Sequence, residues 1–151
     1  MTMDTPASSA PLADPMAHRL GYLLRRASST MMADLGGALT PFGVSPVEAT
    51  VLAVIGANPG CTQSDIARLL GIKRANMVPI IARLGAEGLV EKTPMNGRSS
   101  ALRLTAAGES SHRAVEETMD RHEARFEAML AGHDIAELRA TLMLIIQPQE
   151  D

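Results

Sequence analysis

The sequence predicts a mainly α-helical fold with one small β-hairpin. Three observations carry this. Apolar residues recur at steps of three and four along most of the 151 residues. Capping boxes, prolines and glycines cut the chain into pieces of helical length. Only two short runs, Leu89 to Thr93 and Ala101 to Leu104, read as strands, with the Asn96-Gly97 turn signal between them.

Residues 1–15 hold three prolines and no apolar periodicity, and are expected to form a flexible tail. A first helix is expected from Met16 to about Leu39, with Leu20, Leu23, Leu24, Ala27, Met31 and Leu35 along one face. Thr40-Pro41-Phe42-Gly43 breaks it. Ser45-Pro46-Val47-Glu48 starts the second, combining a cap, a proline at the first helical position and a box partner. That helix runs to about Ala57, with Val47, Val51, Val54 and Ile55 inward, and Asn58-Pro59-Gly60 ends it. Thr62 and Asp65 form the next box, Ile66, Leu69 and Leu70 face the core, and Gly71 is the stop. A helix from about Lys73 to Glu87 follows almost without a connection, and Gly88 ends it. After the hairpin, Thr105 opens a long helix to about Leu130, with the stripe Val115, Met119, His122, Phe126 and Met129. Asp134 caps a last helix, with Glu137 at the box position and Leu138, Leu142 and Ile145 inward. No internal repeat is visible.

Composition excludes several classes. Aromatics are 2 % and tryptophan is absent, which argues against single-strand binding by base stacking. The single Cys61 excludes an internal disulfide and a cysteine-rich zinc site. The longest apolar run, Leu142 to Ile146, is too short to span a bilayer, and the N-terminus lacks signal-peptide blocks. A cytoplasmic protein is expected, with no membrane association and no cofactor. An enzyme is disfavoured: the chain has no Gly-rich phosphate loop, no His-Glu-x-x-His and no nucleophile with its base. The net charge of −3 hides a split. Residues 62–103 carry seven bases against three acids, whereas the remainder carries seven bases against fourteen acids. A middle segment facing an anion fits this asymmetry.

Two helices joined at Gly71 and followed by a hairpin with a basic tip form a winged helix-turn-helix pattern. The second helix lies in a major groove only if the first braces it steeply, hence the short turn. Its start carries Lys73, Arg74 and Asn76. Arginine suits guanine and asparagine suits adenine, Ala75 leaves room for close approach, and the helix N-terminus attracts phosphate.

At these residues the chain resembles the multiple-antibiotic-resistance regulator (MarR) family of bacterial transcription factors. The carrying stretches are Cys61-Thr-Gln-Ser-Asp-Ile-Ala-Arg-Leu-Leu-Gly71, Arg83-Leu-Gly-Ala-Glu-Gly-Leu-Val-Glu-Lys92 and Arg103-Leu-Thr-Ala-Ala-Gly108, within a resemblance over residues 18–130. It implies a homodimer built on residues 16–39 and 105–147, with a winged helix-turn-helix lobe at 45–104. It implies a regulator, expected to be a repressor, that binds pseudo-palindromic double-stranded DNA and lets go on binding a small effector. The effector class is an aromatic or phenolic acid or its coenzyme A thioester. The candidate DNA-binding residues are Thr62, Gln63, Ser64, Lys73, Arg74, Asn76, Met77, Arg98 and Ser99. Two departures stand out. Many members have Asp-x-Arg at the wing, where this chain reads Asn96-Gly97-Arg98. Pro79 sits inside the recognition helix, as in some members similar to peroxide sensors, and predicts a kink or a start near Asn76.

Other features have two readings. His18 and Tyr22 lie one helical turn apart, with Arg25, Arg26 and Ser29 continuing that side. In the resembled family an effector pocket involves the first helix, so this stripe is a candidate ligand site; the alternative is a solvated face. Cys61 reads as a structural thiol rather than a redox switch, and His122 as a satisfied core or interface histidine. The last helix is apolar on nearly all sides, which fits burial in a dimer. The alternative function is a dimeric sensor or adaptor that keeps the winged fold without binding DNA.

Overall fold

The computed structural model describes residues 11–146. Residues 1–10 of the tail expected at 1–15, and residue 147 at the end of the expected dimerisation segment, lie outside the described residues. In chain order the elements are α1 (Leu20–Leu39), a 3-10 turn (Thr40–Phe42), α2 (Pro46–Ala57), α3 (Gln63–Leu70), α4 (Arg74–Ala86), β1 (Val90–Pro94), β2 (Ser100–Leu104), α5 (Ala106–Met129) and α6 (Ile135–Ile146). The strands form one antiparallel pair in which Val90 faces Leu104 and Lys92 faces Leu102.

α1 begins later than Met16. The Asp14 side chain accepts the Met16 amide at 3.0 Å, and the Arg19 amide bonds the Met16 carbonyl at 2.9 Å. These local bonds hold a separate turn ahead of the helix. At α2 both halves of the expected box form: Ser45 Oγ accepts the Glu48 amide at 3.3 Å, and Glu48 Oε2 accepts the Ser45 amide at 2.7 Å. Glu48 also pairs with Arg83 of α4, whose other nitrogen donates to the Gly43 carbonyl at 2.7 Å. One carboxylate thereby caps a helix and ties α4 to the turn after α1. Burial raises the Glu48 carboxyl, but Arg83 and Ser45 outweigh burial and hold it below its ordinary range.

The core lies within the lobe made by α2, α3, α4 and the hairpin, closed by the end of α1 and the middle of α5. Leu39, Leu52, Ile55, Ile66, Met77, Ile81, Leu84, Leu102 and Val115 are all fully buried. Gly108 fixes how α5 enters it. A Cβ at this position would lie 1.9 Å from the Leu89 carbonyl oxygen, so only glycine lets the helix start against the backbone beside β1. Thr105 completes the join. Its Oγ1 accepts the Gly108 amide at 3.0 Å and donates to the Gly88 carbonyl at 2.6 Å.

Several expected faces shift. Val47 and Leu69 point outward, and Ala67 takes Leu69's place in the core. α4 begins at Arg74, not near Asn76, and continues through Pro79. α6 has no buried residue: Leu138, Ile145 and Ile146 are exposed, as are Leu20, Leu23 and Met129 on the helices outside the lobe. Among the described residues no single helix is long and apolar enough to cross a membrane.

Candidate nucleic-acid interface

The site is built by one tight turn. α3 opens on the Thr62–Asp65 box, in which Asp65 Oδ2 accepts the Thr62 amide at 2.9 Å and Thr62 Oγ1 accepts the Asp65 amide at 3.2 Å. These bonds to Thr62 hold the Asp65 carboxyl below its ordinary range, so this acid is committed to the cap. The helix ends on Gly71 with φ of 63°, a left-handed conformation that favours glycine. The Ile72 amide returns to the Ala67 carbonyl at 2.9 Å. The chain then starts α4 with Lys73 as its N-cap, and no side chain caps that end. The positive end of α4 thus faces solvent, flanked by exposed Lys73, Arg74, Ala75 and Asn76.

The hairpin is fastened to the same corner. The Leu102 amide bonds the Cys61 carbonyl at 2.9 Å, and the Gly60 amide bonds the Leu102 carbonyl at 2.8 Å. Thr62 and Ala101 form a β-bridge. At the tip the Met95 amide meets the Ser99 carbonyl at 3.0 Å, and Gly97 takes a positive φ of 92°.

Between α3, α4 and the hairpin lies a cleft of about 490 Å³. Of the nine residues expected from the sequence, Thr62, Gln63, Ser64, Arg74, Arg98 and Ser99 line it. Lys73 and Asn76 lie exposed at the start of α4. Met77 is a correction: it is fully buried, because it shares an inward face with Ile81 and Leu84 at helical spacing. Sequence reasoning missed Lys92 and Ser100, which also line the cleft. Hairpin register was the only signal that could have found Lys92. Three cations, Arg74, Lys92 and Arg98, therefore share a wall that contains no carboxylate. Arg74 is aimed by α3, since its Nε donates to Ser64 Oγ at 3.1 Å.

The candidate effector stripe on α1 forms a surface cluster. Tyr22 donates to Asp14 at 2.7 Å, Arg26 lies 3.3 Å from the Tyr22 hydroxyl, and the Arg25 guanidinium sits 5.6 Å from the Tyr22 ring centre. The Tyr22 hydroxyl and the Met16 amide lower the Asp14 carboxyl. His18 and Ser29 are exposed and stand apart from these bonds. His122 is buried, with Nε2 3.0 Å from the Met31 carbonyl and 3.3 Å from Asp34, which also pairs with Arg125. Burial first, and Asp65 second, raise the Cys61 thiol, which leaves little thiolate for redox chemistry.

Together the fold and this cationic cleft fit a DNA-binding transcriptional regulator of the winged-helix class. A sequence model described as "MarR family" matches residues 42–99. The solved structure of the transcriptional repressor CouR bound to a 23-mer DNA duplex is 30% identical, with a TM-score of 0.85 over 91% of this chain and 100% of that one. CouR bound to p-coumaroyl-CoA is 29% identical, with a TM-score of 0.83 over 92% of this chain and 100% of that one. An HTH-type transcriptional repressor of Mycobacterium tuberculosis is 27% identical over 82% of this chain and 90% of its own length. The chain belongs to the MarR family of transcriptional regulators.

Proposed function

We propose that this chain is a homodimeric repressor that binds pseudo-palindromic double-stranded DNA and is released by a small effector. The observation that carries the DNA reading is the cleft in which Arg74, Lys92 and Arg98 meet beside the uncapped start of α4. An anionic backbone matches that wall, and Asn76, exposed in the first turn of α4, is the proposed base-reading residue. The exposed apolar residues of α1, α5 and α6 support a dimer, since one chain leaves them in water. Two α4 helices reading successive major grooves then sit about 34 Å apart.

The effector reading rests on the likeness to CouR bound to p-coumaroyl-CoA. The class is an aromatic or phenolic acid or its coenzyme A thioester, and the Tyr22–Arg26 stripe is the candidate site on this chain. The effector favours a helix spacing that DNA does not accept, because equal affinity for both spacings shifts nothing. The test is a titration of the purified dimer against the DNA flanking its own gene, at several salt concentrations. The repressor reading expects specific binding that weakens steeply with salt and is released by p-coumaroyl-CoA or a phenolic acid. Absence of any sequence-specific binding would favour the sensor or adaptor reading instead.

A further inference from the structure

The exposed face of α4 changes character after its first turn. Arg74 and Asn76 carry the hydrogen-bonding side chains of that turn. From Met77 to Ala86 the one side chain able to donate a hydrogen bond is Arg83. It is already committed, since it pairs with Glu48 and donates to the Gly43 carbonyl at 2.7 Å. Met77, Ile81 and Leu84 take the inward face. Ala75, Val78, Pro79 and Ala82 are exposed on the other side, at helical spacing.

Val78 is 52% exposed. A β-branched side chain lowers helix propensity, and in water it returns little by burial. Pro79 beside it supplies no amide, which leaves the Ala75 carbonyl without its usual donor four residues on. The packing of the lobe explains neither residue. Val78 stands one helical turn beyond Arg74, whose Nε is held 3.1 Å from Ser64 Oγ. The apolar surface is thereby continuous with the cationic cleft, on the helix proposed to enter the major groove. It suits one feature of that groove. The apolar group on base edges there is the thymine 5-methyl, whereas cytosine presents an amino group that valine cannot pair with.

We propose that Val78 reads thymine in each half-site by contact with its 5-methyl group, with Ala75 and Pro79 extending the apolar surface. The inference rests on the DNA-binding reading, and adds to Arg74 and Asn76 a base contact made without a hydrogen bond. Burying one methyl favours thymine over uracil, its demethylated counterpart, by about fourfold.

The experiment uses the full-length protein. A site is selected from a random duplex pool made with thymidine. Each thymine of that site is then replaced singly by deoxyuridine, which removes the methyl and keeps the base pair. Affinities are read by titration at one salt concentration. At one or more thymines of each half-site, uracil is expected to weaken wild-type binding about fourfold. Val78→Ala should bind the thymine site about as weakly as wild type binds the uracil site, and should lose the preference at that position. Val78 is exposed, so the variant is expected to keep the wild-type melting curve. A wild-type protein indifferent to uracil at every thymine overturns the proposal. So does a preference that survives intact in Val78→Ala, which would assign the effect to another side chain or to DNA shape. A selection that enriches no sequence is a distinct result: it removes the repressor reading, and this proposal with it.

Discussion

Arg98 and Asn76 divide the labour of DNA recognition in the proposed complex. Arg98 stands on a hairpin tip whose Gly97 takes a positive φ, so it follows groove width and potential rather than a fixed donor pattern. Arg98→Ala should weaken binding to many sequences and flatten the salt slope by about one unit. Asn76→Ala should cost about 1–3 kcal/mol on the operator and much less on scrambled DNA. Titrations on both DNAs at several salt concentrations check the pair. Equal losses of Asn76→Ala on operator and scrambled DNA would refute base reading. Glu48 contributes stability with a definite pH sign. Its carboxyl is lowered in the fold, so the contribution is full above the ordinary glutamate range and fades as pH falls through the lowered value. Urea melts of wild type and Glu48→Gln should therefore differ most at neutral pH and converge in acid, below about pH 4.5. A gap that widens on acidification would contradict the Arg83 pairing.

Gly108 is the junction on which the lobe meets α5. Replacing it with alanine places a carbon against the fixed Leu89 carbonyl, and the backbone there has nowhere to go. Gly108→Ala should cost at least about 2 kcal/mol by chemical denaturation, in the range of forced overpacking. A variant as stable as wild type would mean that β1 and α5 can slide apart. The order of elements was legible in the sequence because local chemistry marks most boundaries: Ser45, Thr62, Thr105 and Asp134 cap four helices, whereas no side chain caps the start of α1 or of α4. Facing was harder to read. α3 has only two turns, so Leu69 and Ala67 compete for one inward place, and the choice depends on what packs above them. Met77 was misassigned, although its spacing to Ile81 and Leu84 put it on the inward face. Lys92 was missed because its place depends on the pairing partner Leu102, which the strand's own sequence does not state.

At the scale of the whole molecule, the apolar outer helices dominate. α6 has no fully buried residue within one chain, and Leu138, Leu144, Ile145 and Ile146 stand exposed on it. Deleting residues 134–151 should give aggregation or a monomer with weak DNA affinity, measured by light scattering and by titration. A soluble truncated dimer with normal DNA binding would remove α6 from the interface. The fastening of Gly60 and Cys61 to Leu102 has a consequence for synthesis. The front edge of α3 is pinned by a strand that leaves the ribosome only after α4. A nascent chain that stops within the wing holds both helices of the reading head but lacks the strand that sets their front edge. Such contacts between distant parts of the chain form late, after local helices have already appeared. The front edge of α3 is therefore expected to stay unset until β2 has emerged, so a chain interrupted before β2 carries both helices without the strand that holds them.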